Sequence, residues 1–182
     1  CYFWIGDLIL ETLQKSTLRV LIAYGSLGKF FHLKEFGEEL ERQNVEVKLV
    51  HDIEFSKGFP SKNVLDWIKG NKKFKELIKT FQPDAIFTDR QTHFAMHSIK
   101  AGIPTFVLLR GHYWQEHYWG MKTLGNNLKI RLLLWLRNRI SEKVFQDATA
   151  ILPICKYLEK ITNKFVPGKP TQVFFEGVDA SR

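Results

Sequence analysis

The sequence predicts an α/β domain of three layers, a mostly parallel sheet of about six or seven strands with helices on both faces. Three observations predict it. Apolar runs of strand length alternate with longer amphipathic stretches of helical period from one end of the chain to the other. The first apolar run ends in a glycine loop, Gly25-Ser26-Leu27-Gly28, that opens directly into a helical pattern. Polar residues then gather at the ends of the later runs. With 182 residues, 45% of them hydrophobic, the chain is long enough for one domain with a sizeable core and too apolar to be disordered.

Leu18 to Tyr24 is a short apolar run and predicts a strand buried on both faces. From Lys29 the period becomes helical. Phe30, Leu33, Phe36, Gly37 and Leu40 share one face, and Asn44 stands where the helix should end. Val45 to Val50 is the second strand, so the first unit reads as strand, crossover helix and parallel strand. Glu54 to Ser61 reads as a loop. Asn63 to Phe81 reads as helical, broken at Gly70-Asn71, with an apolar face at Phe74, Leu77, Ile78 and Phe81 and lysines opposite. Pro83 to Arg90 is a strand with a polar tip, and Gln91 to Ala101 is a helix ended by Gly102. Pro104 to Leu109 is the next strand, leaving into Arg110-Gly111-His112-Tyr113-Trp114. Leu124 to Asp147 reads as one long helical segment, Thr149 to Leu152 as a strand, Lys156 to Phe165 as a short helix and Gln172 to Phe175 as a last strand. Residues 1–17 form a leading segment, with helical spacing at Trp4, Ile5, Leu8, Ile9 and Leu13 and no signal-peptide pattern.

Lys and Arg number 27 against 19 Asp and Glu, a net charge of +8 that favours anionic partners such as phosphates or acidic lipid. No nucleic-acid-binding motif accompanies the charge, so no nucleic acid is expected. Cys1 and Cys155 are the only cysteines and make neither a disulfide framework nor a zinc pattern, which sets a reducing, cytoplasmic compartment as the default. No apolar run reaches the length of a membrane span. Lys129 to Lys143 is both basic and very apolar. The first reading is a helix buried between the sheet and another helix; the second is contact with an anionic membrane surface.

In an open parallel sheet, the carboxyl ends of the strands share one rim, and ligands bind there. That rule collects Gly25, Ser26, Gly28 and Lys29 after the first strand, Asp89 and Arg90 after the third, Arg110 and His112 after the fourth, and Glu176 after the last. Arginine forks grip phosphate or carboxylate, and a histidine orients a hydroxyl or titrates near neutral pH. The bland alternative is that each arginine pairs with a carboxylate such as Asp89 or Glu116. The glycine loop lacks the third glycine of the dinucleotide fingerprint, since Phe31 stands about there, so it does not argue for NAD. His93 and His97 lie one helical turn apart without the glutamate or third ligand of a zinc site, so no metal is expected. No GxSxG elbow and no P-loop occurs.

Five pieces in order carry a family resemblance: LRVLIAYGSLG, FQPDAIFTD, AGIPTFVLLRGHYW, FQDATAILPICKYLEKIT and TQVFFEGVDASR. Together they resemble the Rossmann-like amino-terminal domain of GT-B glycosyltransferases, in particular the retaining family four, over 18–182. His112 fits the family's histidine after the fourth strand, Cys155 stands near a serine, and Glu176 takes an asparagine's place. Asp89-Arg90 stands where many relatives carry a histidine. The resemblance implies an acceptor-binding half facing a donor-binding half that this chain does not include. It implies transfer of a sugar from a nucleotide-sugar donor to a sugar or lipid-linked acceptor with retention, without cofactor or bound metal. It also implies His112 as the catalytic residue and a chain inactive by itself. The cysteine usage and the basic stretch at 129–143 set the expected place of work in the cytoplasm, with the inner face of the membrane as a peripheral contact. The alternative is a stand-alone module of the same fold that binds a nucleotide or an anionic lipid.

Overall fold

The computed structural model describes residues 17–59, 61, 65–68 and 71–175. In chain order the elements are β1 (Arg19–Tyr24), α1 (Leu27–Arg42), β2 (Glu46–His51), α2 (Asp52–Phe55), α3 (Leu65–Ile68), α4 (Lys72–Phe81), β3 (Ala85–Thr88), α5 (His93–Lys100), β4 (Thr105–Leu109), α6 (Tyr113–Leu124), α7 (Leu128–Asp147), β5 (Ala150–Pro153) and α8 (Lys156–Phe165). The strands form one sheet in the order β2-β1-β3-β4-β5, and every pairing is parallel.

Strands β1, β3, β4 and β5 are buried on both sides, which is why they are apolar at consecutive positions, whereas β2 at the edge alternates, with Glu46 and Lys48 exposed. Side chains of Val20, Ile22, Phe87, Phe106 and Leu108 meet Leu33, Phe36 and Leu40 of α1. On the other side, Leu21, Ala23 and Ile86 meet Phe74, Leu77 and Phe81 of α4, and Val107, Leu109 and Ile151 meet Val144 and Phe145 of α7. The fold is thus α/β in three layers and Rossmann-like. Asn44 and Gln82 take the left-handed conformation after α1 and α4, and Gly102 does so after α5, ending each helix with its carbonyls satisfied.

Several expectations are corrected. The described sheet has five strands rather than six or seven. The segment expected as the last strand runs beside β5, with Gln172 N–H on Ile151 O and Phe174 N–H on Pro153 O, but it closes only one parallel bridge, Ile151 to Thr171. The expected loop after β2 begins with the helical turn α2. The chain leaving β4 does not stay irregular: it enters α6, and the expected single helix from Leu124 instead breaks at 125–127 before α7 begins. The amino-terminal half of α7 is not buried, since Leu128 is 80% exposed and burial starts only at Ser141. The leading segment's helical pattern at 1–16 and the expected site residue Glu176 lie outside the described residues.

Candidate functional site

Parallel pairing brings the carboxyl ends of β2, β1, β3 and β4 side by side, so the residues that follow them become neighbours although they are distant in sequence. Asp89 follows β3 and is buried, 3% exposed. Its Oδ2 accepts the Gly25 N–H at 3.2 Å and lies 3.8 Å from Lys29 Nζ. Its Oδ1 lies 3.2 Å from Arg110 Nε, but that N–H is not aligned on it, so the contact is coulombic rather than a hydrogen bond. Burial pushes the Asp89 carboxyl above the ordinary 3.8; Arg110, Lys29, the Gly25 N–H and Arg90 pull it back only in part.

Arg90, the next residue, turns to β2 instead. It grips Asp52 with both nitrogens, Nε to Oδ2 at 2.9 Å and Nη2 to Oδ1 at 2.8 Å, the bidentate geometry that suits a guanidinium. Thr92 donates its hydroxyl to the same Oδ2 at 3.3 Å and also caps α5 by accepting the Phe94 N–H. The bland reading therefore describes part of both arginines: Arg90 is paired with Asp52, and Arg110 sits against Asp89. Gly25 lies between the two acids. A Cβ on it would overlap the Arg90 side chain, so the glycine is required by close approach, its N–H serving one acid while its bare Cα admits the other's arginine.

Lys29, Asp89, Arg90, Arg110, Glu116 and Arg137 all border one open cavity of about 300 Å³. Four cations against two carboxylates give it a positive balance that suits an anion. A second cavity of about 390 Å³ adjoins it, lined by Phe59, Ser61, Leu133 and Leu134, and the two share Arg90, Gln91 and Arg137. Arg137 comes from α7. Its guanidinium lies 5.2 Å from the Phe59 ring centre and 5.8 Å from that of Tyr113, and among the described residues its buried Nε has no hydrogen-bond partner.

The structure brings Gly25, Lys29, Asp89, Arg90 and Arg110 together. Ser26 and Gly28 are exposed, but Gly28 lies in the first turn of α1 rather than in a loop, and Ser26 stands before that helix without a side-chain capping bond. His112 is on the same rim but leans toward α8. Its Nδ1 caps α6 by accepting the Gln115 N–H at 3.1 Å, and its ring is flanked by Trp114, Tyr157 and Phe165 at centroid distances of 6.0 to 6.3 Å. A bond accepted at Nδ1 leaves the ring proton on Nε2, which no capping bond occupies. Sequence reasoning left Asp52 and Arg137 outside the site. Asp52 stands at the end of the second strand, near the place of a ribose-binding acid, and is set aside with the dinucleotide reading although the strand-end rule that found Asp89 also reaches it; Arg137 has no local signal.

His93 and His97 pin a loop. His93 Nδ1 accepts the Phe59 N–H at 2.6 Å, and His97 Nδ1 bonds the Ser56 hydroxyl at 3.0 Å. Burial, then the neighbouring His97, lowers His93 from 6.5 to about 4, which keeps it neutral and able to accept. Among the described residues no group of three or more His, Cys, Asp or Glu is placed to hold a metal ion. Compared with family models and with curated proteins, the chain matches none.

Proposed function

We propose that this chain is the acceptor-side half of a retaining glycosyltransferase that uses a nucleotide-sugar donor held by a facing domain. The observation that carries the reading is the convergence on one sheet rim of the residues that the five resembling pieces bring there, with a buried, raised carboxyl at Asp89 among cations. His112 supports it further. Its Nε2, without a hydrogen-bond partner among the described residues, stands among aromatic side chains, Tyr157 being 61% and Phe165 46% exposed, and an aromatic wall with one polar donor suits the apolar face and hydroxyls of a sugar ring. In this reading His112 orients an acceptor or donor oxygen by donating from Nε2, and the departing phosphate helps to take the acceptor proton. The positive balance of the cavity favours one other reading, a stand-alone module of this fold that binds an anionic ligand without transfer.

The test uses labelled nucleotide sugars with the protein carrying a donor half and with this chain alone. Label should pass to an acceptor, with retained anomeric configuration, only in the first case. Transfer by this chain alone would overturn the half-enzyme reading, and binding without transfer in both cases would favour the module. Within an active protein, His112→Ala should lower kcat/KM on the order of a hundredfold and, by removing a helix cap, also cost about 1 kcal/mol of stability. His112→Asn keeps a capping side chain, so it should lose activity with its melting temperature nearly unchanged. If His112→Asn is as active as the parent, the histidine is a cap and nothing more.

A further inference from the structure

Among the described residues, thirteen large apolar side chains are exposed, and seven of them sit on the α6–α7 hairpin. Scattered single exposures are ordinary, but this concentration is not. Leu124, Leu128 and Leu132 are 56%, 80% and 55% exposed, and Trp119 and Trp135 are 48% and 49% exposed. The end of the hairpin is built, not frayed. Gly125 N–H closes on Met121 O, Asn127 Oδ1 caps α7 by accepting the Lys129 and Ile130 N–H groups, and the bare Cα of Gly120 lies beside Leu134. The fold therefore holds an apolar surface in water at a cost it does not recover internally.

The charge around that surface has one sign. Between Glu116 and Glu142 there is no acidic residue, while Lys122, Lys129, Arg131 and Arg139 are exposed. Lys122 Nζ stands 5.1 Å from the Trp119 ring centre, and the Arg139 guanidinium 5.4 Å from that of Trp135. Each half-exposed tryptophan thus carries a cation at its edge of the surface. The occupant must be apolar and anionic together. A nucleic acid would leave the leucines in water, and a second copy of this hairpin would set like charges against each other. No helix among the described residues is long and apolar enough to cross a membrane, and an apolar face rimmed by cations is the pattern that suits lying in a membrane interface.

We infer that the α6–α7 hairpin seats the protein on an anionic lipid bilayer, its leucines and tryptophans at the level of the acyl boundary and its lysines and arginines against lipid phosphates. This inference does not depend on the glycosyltransfer reading and is tested without any sugar. Binding is measured by co-sedimentation with vesicles of phosphatidylcholine alone and of phosphatidylcholine mixed with phosphatidylglycerol. Tryptophan emission is followed at the same time. The mixed vesicles should bind about tenfold tighter or better, shift the emission to the blue, and release protein as salt is raised. Leu128→Ser with Leu132→Ser, and separately Lys129→Glu with Arg131→Glu, should each lose about tenfold in binding while the melting curve of the free protein stays in place. Equal binding to neutral and anionic vesicles, or none to either, overturns the inference. So does a concentration-dependent dimer, seen by light scattering, that the leucine substitutions abolish.

Discussion

Asp52 follows β2 and Asp89 follows β3, with β1 between them on one rim of the sheet, and the two are equally buried at 3% exposure. Each faces an arginine, yet the fold treats them differently. Asp52 receives two aligned bonds from Arg90 and one from Thr92, so its desolvation is met by directed partners. Asp89 receives one aligned bond, from the Gly25 N–H, and charges on Lys29 and Arg110 that stand near without aligned bonds on its oxygens. Its carboxyl is raised because burial outweighs those attractions. The difference teaches that burial of a carboxylate does not by itself say what it is for: a clamp is satisfied in the free protein, whereas a ligand site keeps a charge at some expense.

Removing the clamp should have the largest effect. Asp52→Ala leaves Arg90 without its carboxylate and Thr92 without its acceptor, and should destabilise the protein by about 3 kcal/mol, read from chemical denaturation. A loss under about 1 kcal/mol would mean that Arg90 finds water or another partner and that Asp52 is no clamp. Gly25→Ala acts on both acids at once. Its methyl group must push Arg90 aside, so a loss of about 2 kcal/mol is expected. Its crystal structure should show Arg90 displaced from Asp52; an unmoved Arg90 would contradict the close approach.

The smallest effect is expected at Asp89, and its sign matters most. A carboxyl that is raised in the folded state holds its proton more tightly folded than unfolded. Its contribution to stability therefore falls as pH rises from the unfolded value through the folded one. Above the folded value the ionised group is a burden that Asp89→Asn removes. The variant should melt no lower than the parent at neutral pH, and its advantage should vanish in acid, where the parent's carboxyl is protonated. A melting temperature well below the parent's at neutral pH would make Asp89 a second clamp and erase the contrast.

Most of the fold was legible because burial leaves a periodic trace. Strands β1, β3, β4 and β5 are apolar at consecutive positions, β2 alternates, α8 ran from Lys156 to Phe165 as its spacing predicted, and Phe74, Leu77 and Phe81 form the buried face of α4. Helix α6 left no such trace. Of its twelve residues only Tyr113 is buried, so Tyr-Trp-Gln-Glu-His-Tyr-Trp-Gly shows no apolar stripe to detect. The turn at Gly125-Asn126-Asn127 carries ordinary turn residues, but the apolar run that follows masks it. The same run made α7 look buried, because exposed apolar residues and core residues read alike in a sequence. On the rim, the strand-end rule reached Asp89, Arg90 and Arg110. It could not tell which carboxylate each arginine would meet, since that depends on strand order. Arg137 arrives from a helix that crosses the rim in space alone.

Arg137 also ties two spaces into one thermodynamic system. It forms part of the wall of the charged cavity and of the apolar one, with its guanidinium held over Phe59 and Tyr113. An occupant that draws the guanidinium toward one cavity reshapes the other, and by reciprocity the second occupant changes the hold on the first by an equal free energy. Two fragments, one acidic and one oily, would thus be expected to report on each other, and joining them covalently would add the advantage of a single tethered molecule over two free ones.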